Sequence, residues 1–487
     1  MKKDGIKKNI GYQFIYQFLI LVVPLIISPY LTRTLGDTAL GTFSFANSIA
    51  YYFCIACMLG IVKHGQRVIA AKRDDSISLR KAFWSLFLLH IIVSIVVLIS
   101  YGVYCIFFVK EDGLIYYVQI FYVFSAMFDI TWLFYGLEKF KTVVFRNAIV
   151  KLIELICIFS LVKSRDDFIA YVVIMSISPL ASNISLVPIA IRNIRPIQIS
   201  WIDCKEHIKP ILILTISVVA VSMYTVFDKT LLGIMASKED VAYYEYSNKI
   251  INIPKTFITV IGTVLFPRAC NSVALKKYDE SRKYYGYSLL AIYFIGFASL
   301  FGLLGIADLF ATIYYGKEFA VCGGIIKALA PIILVIGLGD IFRMQFLIPM
   351  HKDIQYTICI VVNAVINIIL SGLLIPVCGM YGAVIGTLSA EVFGTVYQAY
   401  LCRTFIDKRK TIHLMLPFLF SGIIMLCVIE MIKTWNNSNL GDLVLQVFAG
   451  GIVYLIVLGI YFIFISKDRD KFCELLKIIL QKKRSKN

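Results

Sequence analysis

Apolar runs of about twenty residues or more follow one another along nearly the whole chain, parted by short polar segments. A helix rising 1.5 Å per residue needs such a run to cross about 30 Å of hydrocarbon. The pattern predicts fourteen spans, near 10–31, 42–62, 82–109, 114–136, 143–162, 168–191, 208–235, 243–266, 285–307, 324–348, 354–376, 380–401, 412–432 and 442–466. The first run is too long for the apolar part of a signal peptide and has no small-residue cleavage site. The longest external loop, roughly Asp308 to Gly323, has about sixteen residues, which leaves no room for a catalytic domain. There is no G-x-x-x-x-G-K-[ST] loop, so ATP is not expected to drive the protein directly. The fold class is therefore an all-α polytopic membrane protein.

Composition agrees. Of 487 residues 59% are hydrophobic, and the mean hydropathy is +0.82. The net charge of +18 raises the question of nucleic acid, but its placement answers otherwise. Of 48 Lys and Arg residues, seven (Arg33, Lys110, Lys163, Arg165, Lys238, Lys317 and Lys433) fall in the loops on one side, and most of the others lie in the opposite loops and the termini. Positive residues resist export, which puts both termini in the cytoplasm. The basic tail "DRDKFCELLKIILQKKRSKN" has apolar residues at helical spacing. It is expected to lie on the anionic inner leaflet as an amphipathic helix, with a partner protein as the alternative. Most of the twelve Cys residues fall inside apolar runs. Cys54 and Cys57 form a C-x-x-C inside a span with no second pair, so packing is favoured over a redox or zinc site.

One passage occurs twice. Gly41-Thr42-Phe43-Ser44-Phe45-Ala46-Asn47 aligns with Ala242-Tyr243-Tyr244-Glu245-Tyr246-Ser247-Asn248 at an offset of 201, which also carries Arg67 onto Arg268. One further residue matches Arg80-Lys81 to Arg282-Lys283, and a four-residue gap matches Leu35-Gly36 to Leu232-Gly233. A shift of six spans keeps the orientation, so the repeat is parallel, about an axis along the membrane normal. The expected organisation is an N-terminal lobe at 1–200 (spans 1–6), a C-terminal lobe at 201–405 (spans 7–12), spans 13–14 at 406–466 and the cytoplasmic tail at 467–487. Two such lobes suit alternating access.

The sequence resembles polysaccharide flippases of the Wzx type, in the superfamily of multidrug/toxin exporters and lipid II flippases. The resemblance is carried by "YLTRTLGDTALGTFSFANSI", "GQRVIAAKRDD", "WLFYGLEKF", and "MYTVFDKTLLG" with "YYEYSNKI", and it covers nearly the whole chain. It implies a non-enzymatic, multi-pass protein of the bacterial cytoplasmic (inner) membrane. Such a protein exports an undecaprenyl-diphosphate-linked oligosaccharide, with polymerase and other polysaccharide-assembly proteins as partners. A multidrug exporter or a lipid II flippase of the same fold remains the alternative. An oligosaccharide polymerase or ligase is disfavoured, because it would need a larger external loop.

A hydrated diphosphate needs cations and hydroxyls to replace its water inside a membrane. Span 8 supplies Lys249, about a third of the way in, and Lys255 near the middle. Asn252, Thr256, Thr259 and Thr263 form a polar stripe with Lys249, and Pro254 interrupts the helix and frees a carbonyl. A charge at mid-membrane costs at least about 2.5–3.5 kcal/mol, which marks Lys255 as functional, against a packing pair with an acid such as Glu391. Arg343 suits a diphosphate because its fork grips two oxygens, although Asp340 three residues earlier can pair with it instead. Arg33 and Lys229 occupy similar places in the two halves and are candidate phosphate contacts, with snorkelling as the alternative. Arg67, Arg268 and Lys63 stand at the inner mouth with His64 and Arg146, where they steer an anion or simply set topology. Asp228, Asp129, Glu391 and Asp340 are candidates for H+ or Na+ coupling. Glu154 is expected to pair with Lys151. No other cofactor and no metal is expected.

Overall fold

The computed structural model describes residues 20–433 and 439–465. The start of the first expected span, the basic N-terminus, residues 434–438 and the tail at 467–487 lie outside the described residues. The described elements are helical throughout, and they divide into two compact units between Ala242 and Tyr243.

The first unit begins with α1 (Ile20–Thr34), α2 (Gly36–Met58), α3 (Ile61–Lys72) and α4 (Ser76–Phe108). There follow α5 (Gly113–Val118), α6 (Ile120–Met127), α7 (Thr131–Gly136) and α8 (Phe140–Leu161). It closes with α9 (Phe168–Ile184), α10 (Leu186–Asn193) and α11 (Trp201–Met235). The second unit takes most of α12 (Lys238–Ala274), then α13 (Tyr278–Tyr314), α14 (Cys322–Leu329) and α15 (Ile332–Phe342). Its remaining helices are α16 (Asp353–Cys378), α17 (Met380–Leu401), α18 (Lys408–Lys433) and α19 (Leu440–Ile460).

Among the described residues nine helices are long and apolar enough to cross a membrane, or ten if Lys317–Leu329 and Ile332–Leu347, bent by 42°, form one span. At the other four expected positions stand α1, α8, α11 and α17. The lower number has a visible physical source in α8, where Lys141, Arg146, Lys151 and Glu154 dilute the apolar run. The lipid-facing surface is legible on α16. Ile354, Ile358, Val361, Val365, Ile369, Leu373 and Val377 are all exposed, three or four residues apart, in one apolar stripe. A surface of that kind is matched by acyl chains rather than by water.

Packing inside the first unit centres on Phe83, Leu86, Trp132, Leu133, Phe134 and Leu186, all fully or nearly fully buried. The seventh expected span, α11, packs here against α2, α3 and α4. Thr215 Oγ1 accepts from the Gly60 amide at 3.0 Å, and Thr230 Oγ1 lies 3.1 Å from Ser48 Oγ. The repeated passage is seen at work in the same unit. Thr38 donates to Glu239 Oε1 at 2.7 Å, and these two positions are 201 residues apart. A Cβ at Gly41 would come within 1.8 Å of the Lys238 carbonyl oxygen, so only glycine admits the approach. One copy of the passage therefore presses on the turn that opens the other.

In the second unit α16 and α17 pair along a seam of small residues. Hypothetical Cβ atoms at Gly382, Gly386 and Gly394 would lie 2.4 Å or less from Leu374 and Ile375 backbone, Ser371 Oγ and Asn363 Nδ2. Small residues let membrane helices approach closely where no hydrophobic force drives them together. Pro254 does not end its helix: α12 runs from Lys238 to Ala274 through both Pro254 and Pro267. The lost N–H leaves the Ile250 carbonyl without its usual intrahelical partner, while the neighbouring turns stay in register.

Candidate anion-binding site

The second unit brings three of the singled-out residues together. The contact begins with packing: Gly337 on α15 takes Ile258 of α12 against it, with a hypothetical Cβ only 3.1 Å from the Ile258 side chain. One turn before Ile258 lies Lys255, and one turn after Gly337 lies Asp340. Lys255 interacts electrostatically with Asp340. The packing alternative for Lys255 was a pair with an acid such as Glu391. Its place is taken by Asp340, which approaches from the helix that α12 packs on.

Asp340 is 8% exposed and also binds Arg343, whose Nη2 lies 2.6 Å from its Oδ1. The ion pair foreseen from the three-residue spacing is thus present. Arg343 opens a π-helical turn, Arg343–Leu347, which widens the helix just after the pair. Such insertions re-aim side chains and recur at functional sites. Arg343 Nη1 donates to the Tyr356 hydroxyl at 3.0 Å, and its buried Nε–H has no hydrogen-bond partner among the described residues. Lys255 likewise makes no hydrogen bond or close ion pair there. Asp340 thus faces two cations, one paired to it and one only within electrostatic reach, so one positive charge is uncompensated among the described residues. Near mid-span, where charge is costly to strip of water, that surplus is a binding capacity for an anion.

The other candidates are distributed elsewhere. Lys249 lies over the Tyr246 ring, 3.7 Å from its centroid. Asn252 is exposed. The hydroxyls of Thr256, Thr259 and Thr263 donate to the carbonyls of Asn252, Thr256 and Val260 at 2.8, 3.0 and 2.8 Å. These three hydroxyls therefore offer lone pairs rather than donors. Arg268 is exposed on α12, and Glu391 on α17 is half-buried with no hydrogen bond or ion pair among the described residues.

The first unit holds the rest. Arg146 is 9% exposed and donates through Nη1 to Ser182 Oγ at 2.6 Å and Asn183 Oδ1 at 3.3 Å, tying α8 to α9. Arg33 and Lys63 are exposed, Lys229 is half-buried and Asp228 is buried. Arg67 Nη2 stands 3.5 Å from His64 Nδ1, and His64 Nε2 lies 3.0 Å from His207 Nδ1, linking α3 to α11. Asp129 Oδ1 accepts from the Thr131 amide and hydroxyl at 3.0 and 2.6 Å. Lys151 donates to Glu154 at 2.7 Å, the local pair expected from their spacing. Tyr356 and the His64–His207 contact went unforeseen. Both join separate helices, and no local spacing announces such a pair.

A family model described as polysaccharide biosynthesis protein matches residues 6–273. A Shigella dysenteriae protein named "Putative O-antigen transporter" is 27% identical over 405 residues, covering 80% of this chain and 98% of its own. A protein of the same name from Escherichia coli (strain K12) is 22% identical over 402 residues, covering 81% and 95%. Among solved structures, the lipid II flippase MurJ in an inward closed conformation superposes with TM-score 0.77 at 17% identity, over 95% of this chain and all of the other. An inward-facing multidrug resistance transporter of the MATE family has TM-score 0.57 at 12% identity, over 82% and 95%. These structural likenesses are likenesses of fold.

Proposed function

Because the chain belongs to the polysaccharide biosynthesis protein family, we propose that it is the flippase for an undecaprenyl-diphosphate-linked oligosaccharide repeat unit. It is a multi-pass membrane transport protein, not an enzyme, and the reading adds its cargo and route. The cargo moves from the inner to the outer leaflet of the bacterial cytoplasmic membrane by alternating access, for assembly into capsule, O-antigen or exopolysaccharide. Both termini face the cytoplasm, and the polymerase takes the product on the outer side.

One observation carries the cargo: Lys255 and Arg343 share a single carboxylate, Asp340. A diphosphate brings about two negative charges, and leaving its water is prohibitive unless cations meet it. Lys255 and the free Nε–H of Arg343 supply those contacts, while Asp340 holds the cations in place when no cargo is bound. Asp340 also opposes the phosphate, which keeps binding reversible, and a carrier must release what it grips.

The test is replacement of Lys255 or Arg343 by Ala in cells whose own gene is deleted. Each charge-assisted contact is worth about 1.5–3 kcal/mol, roughly tenfold or more in affinity. Surface polysaccharide is expected to disappear in both mutants, lipid-linked repeat units to accumulate inside, and the protein to remain in the membrane at normal level. Wild-type polymer in both mutants overturns the assignment.

A further inference from the structure

Outside that site, the first unit contains a buried group that packing does not account for. His90 lies fourteen residues into α4, about 21 Å from its start at Ser76 and well inside the span. Its ring is 0% exposed, and neither Nδ1 nor Nε2 has a hydrogen-bond partner among the described residues. A polar ring is seldom buried with nothing to bind, and a core position of that size is better served by Phe or Leu.

What the ring faces is specific. The fourth span is interrupted: α6 ends at Met127, residues Phe128–Ile130 leave the helix, and α7 begins at Thr131. The His90 imidazole lies beside the Ala126 carbonyl and within electrostatic reach of Asp129. Ala126 belongs to the last turn of α6, the negative end of that helix's dipole. Asp129 turns Oδ1 to Thr131, and its other oxygen accepts no hydrogen bond among the described residues. A helix C-terminus and a half-used carboxylate thus converge on a ring with two idle nitrogens. Broken helices with carbonyl ends at mid-membrane are where transporters hold coupling cations.

Several other titratable groups on α4 and the helices packed against it make contacts of their own. Cys57 of α2 approaches Ser94. The Tyr101 hydroxyl of α4 donates to the Tyr116 carbonyl, and the Cys54 thiol of α2 to the Tyr122 carbonyl. His64 of α3 engages His207 of α11, and Cys204 of α11 meets the Ser85 carbonyl. Asp129 is the one charged group among the described residues that reaches the imidazole.

We propose that His90 and Asp129 form a proton site at the break in the fourth span, and that its loading and unloading is coupled to the transport cycle. On protonation both ring nitrogens become N–H donors, one for the Ala126 carbonyl and one for the idle Asp129 oxygen. The break is then drawn onto α4 as an imidazolium–carboxylate pair, and loss of the proton releases it. One N–H bond forms and one breaks per cycle. The proton comes from water on one side of the membrane and returns to water on the other. The coupling rests on the flippase reading; the proton site itself does not.

Two measurements on the full chain in lipid keep these apart. Histidine-selective 15N spectra in nanodiscs, with His90→Gln to assign the signal, are expected to show His90 taking up a proton within an acidic pH window. In Asp129→Asn that titration should vanish from the window. In proteoliposomes carrying a fluorescent polyprenyl-diphosphate oligosaccharide, a pH gradient is expected to raise wild-type translocation severalfold, and His90→Gln should stay at the rate seen without a gradient. A His90 signal that does not titrate, or one unaffected by Asp129→Asn, overturns the site. A His90→Gln protein that answers the gradient as wild type does, or a wild type that ignores it, overturns the coupling. If wild type moves no polyprenyl-diphosphate lipid at all, the flippase reading fails while the spectra still decide the site.

Discussion

Arg343 differs from Lys255 in what its replacement by a like charge should do. The guanidinium serves three partners at once: Asp340 through Nη2, Tyr356 through Nη1, and an open direction through Nε. A lysine carries the charge without the planar fork. Arg343→Lys should therefore keep the protein folded but restore only a minor fraction of surface polysaccharide, measured as polymer per cell against wild type. Asp340→Asn should act on stability instead, since it leaves two cations without their carboxylate. Breaking a buried pair in this way costs roughly 3–5 kcal/mol, which a melting curve in detergent would show as a drop of several degrees. Part of this cluster was legible before the structure. A charge at mid-span stands out, and Asp340 and Arg343 are close enough in sequence to suggest a pair. The sharing of Asp340 with Lys255 was not legible, because it depends on how Ile258 seats on Gly337. Glu391, the acid named in the packing alternative for Lys255, makes no such contact. His90 gave no warning either, since one histidine in an apolar run looks like any other.

Helices were easier to foresee than their interruptions. Long apolar runs fix where a span lies, and among the described residues each expected position carries a helix. The break at Phe128–Ile130 has no Gly or Pro to mark it, and it is held by Asp129 capping Thr131. Pro254 marks a break that does not occur, because one missing N–H is tolerated by a helix packed along its length. Close helix pairing was equally hidden, and it gives a clean contrast within α16 and α17. Gly386→Leu would force a side chain into Ser371 and should cost about 1–3 kcal/mol or more, read as a lower melting temperature. Gly372→Ala, on α16 with nothing within 4 Å of the new methyl, should be neutral or raise stability by up to about 1 kcal/mol. Equal melting temperatures for the two variants would remove the seam from the account of stability.

The whole molecule is most directly tested through its orientation. A reporter fused after Arg409 should read as cytoplasmic, and one after Asn437 as external. Exchange of the two signals would invert the protein and, with it, the direction in which any cargo moves. The expected division at 200/201 and the compact units, which meet between Ala242 and Tyr243, differ over α11. The repeat assigns that helix by ancestry, whereas packing assigns it to α2, α3 and α4 through contacts such as Gly60 with Thr215.

The meeting of Thr38 with Glu239, beside the close approach of Gly41 to Lys238, has a mechanical consequence. Two backbones locked at touching distance behave as a pivot rather than a slide. On the proposed flippase reading, rearrangement that carries a head group across must then be absorbed farther along α11 and α12. Pro210, Pro254 and Pro267 have already thinned the hydrogen bonding in those helices and left them able to flex.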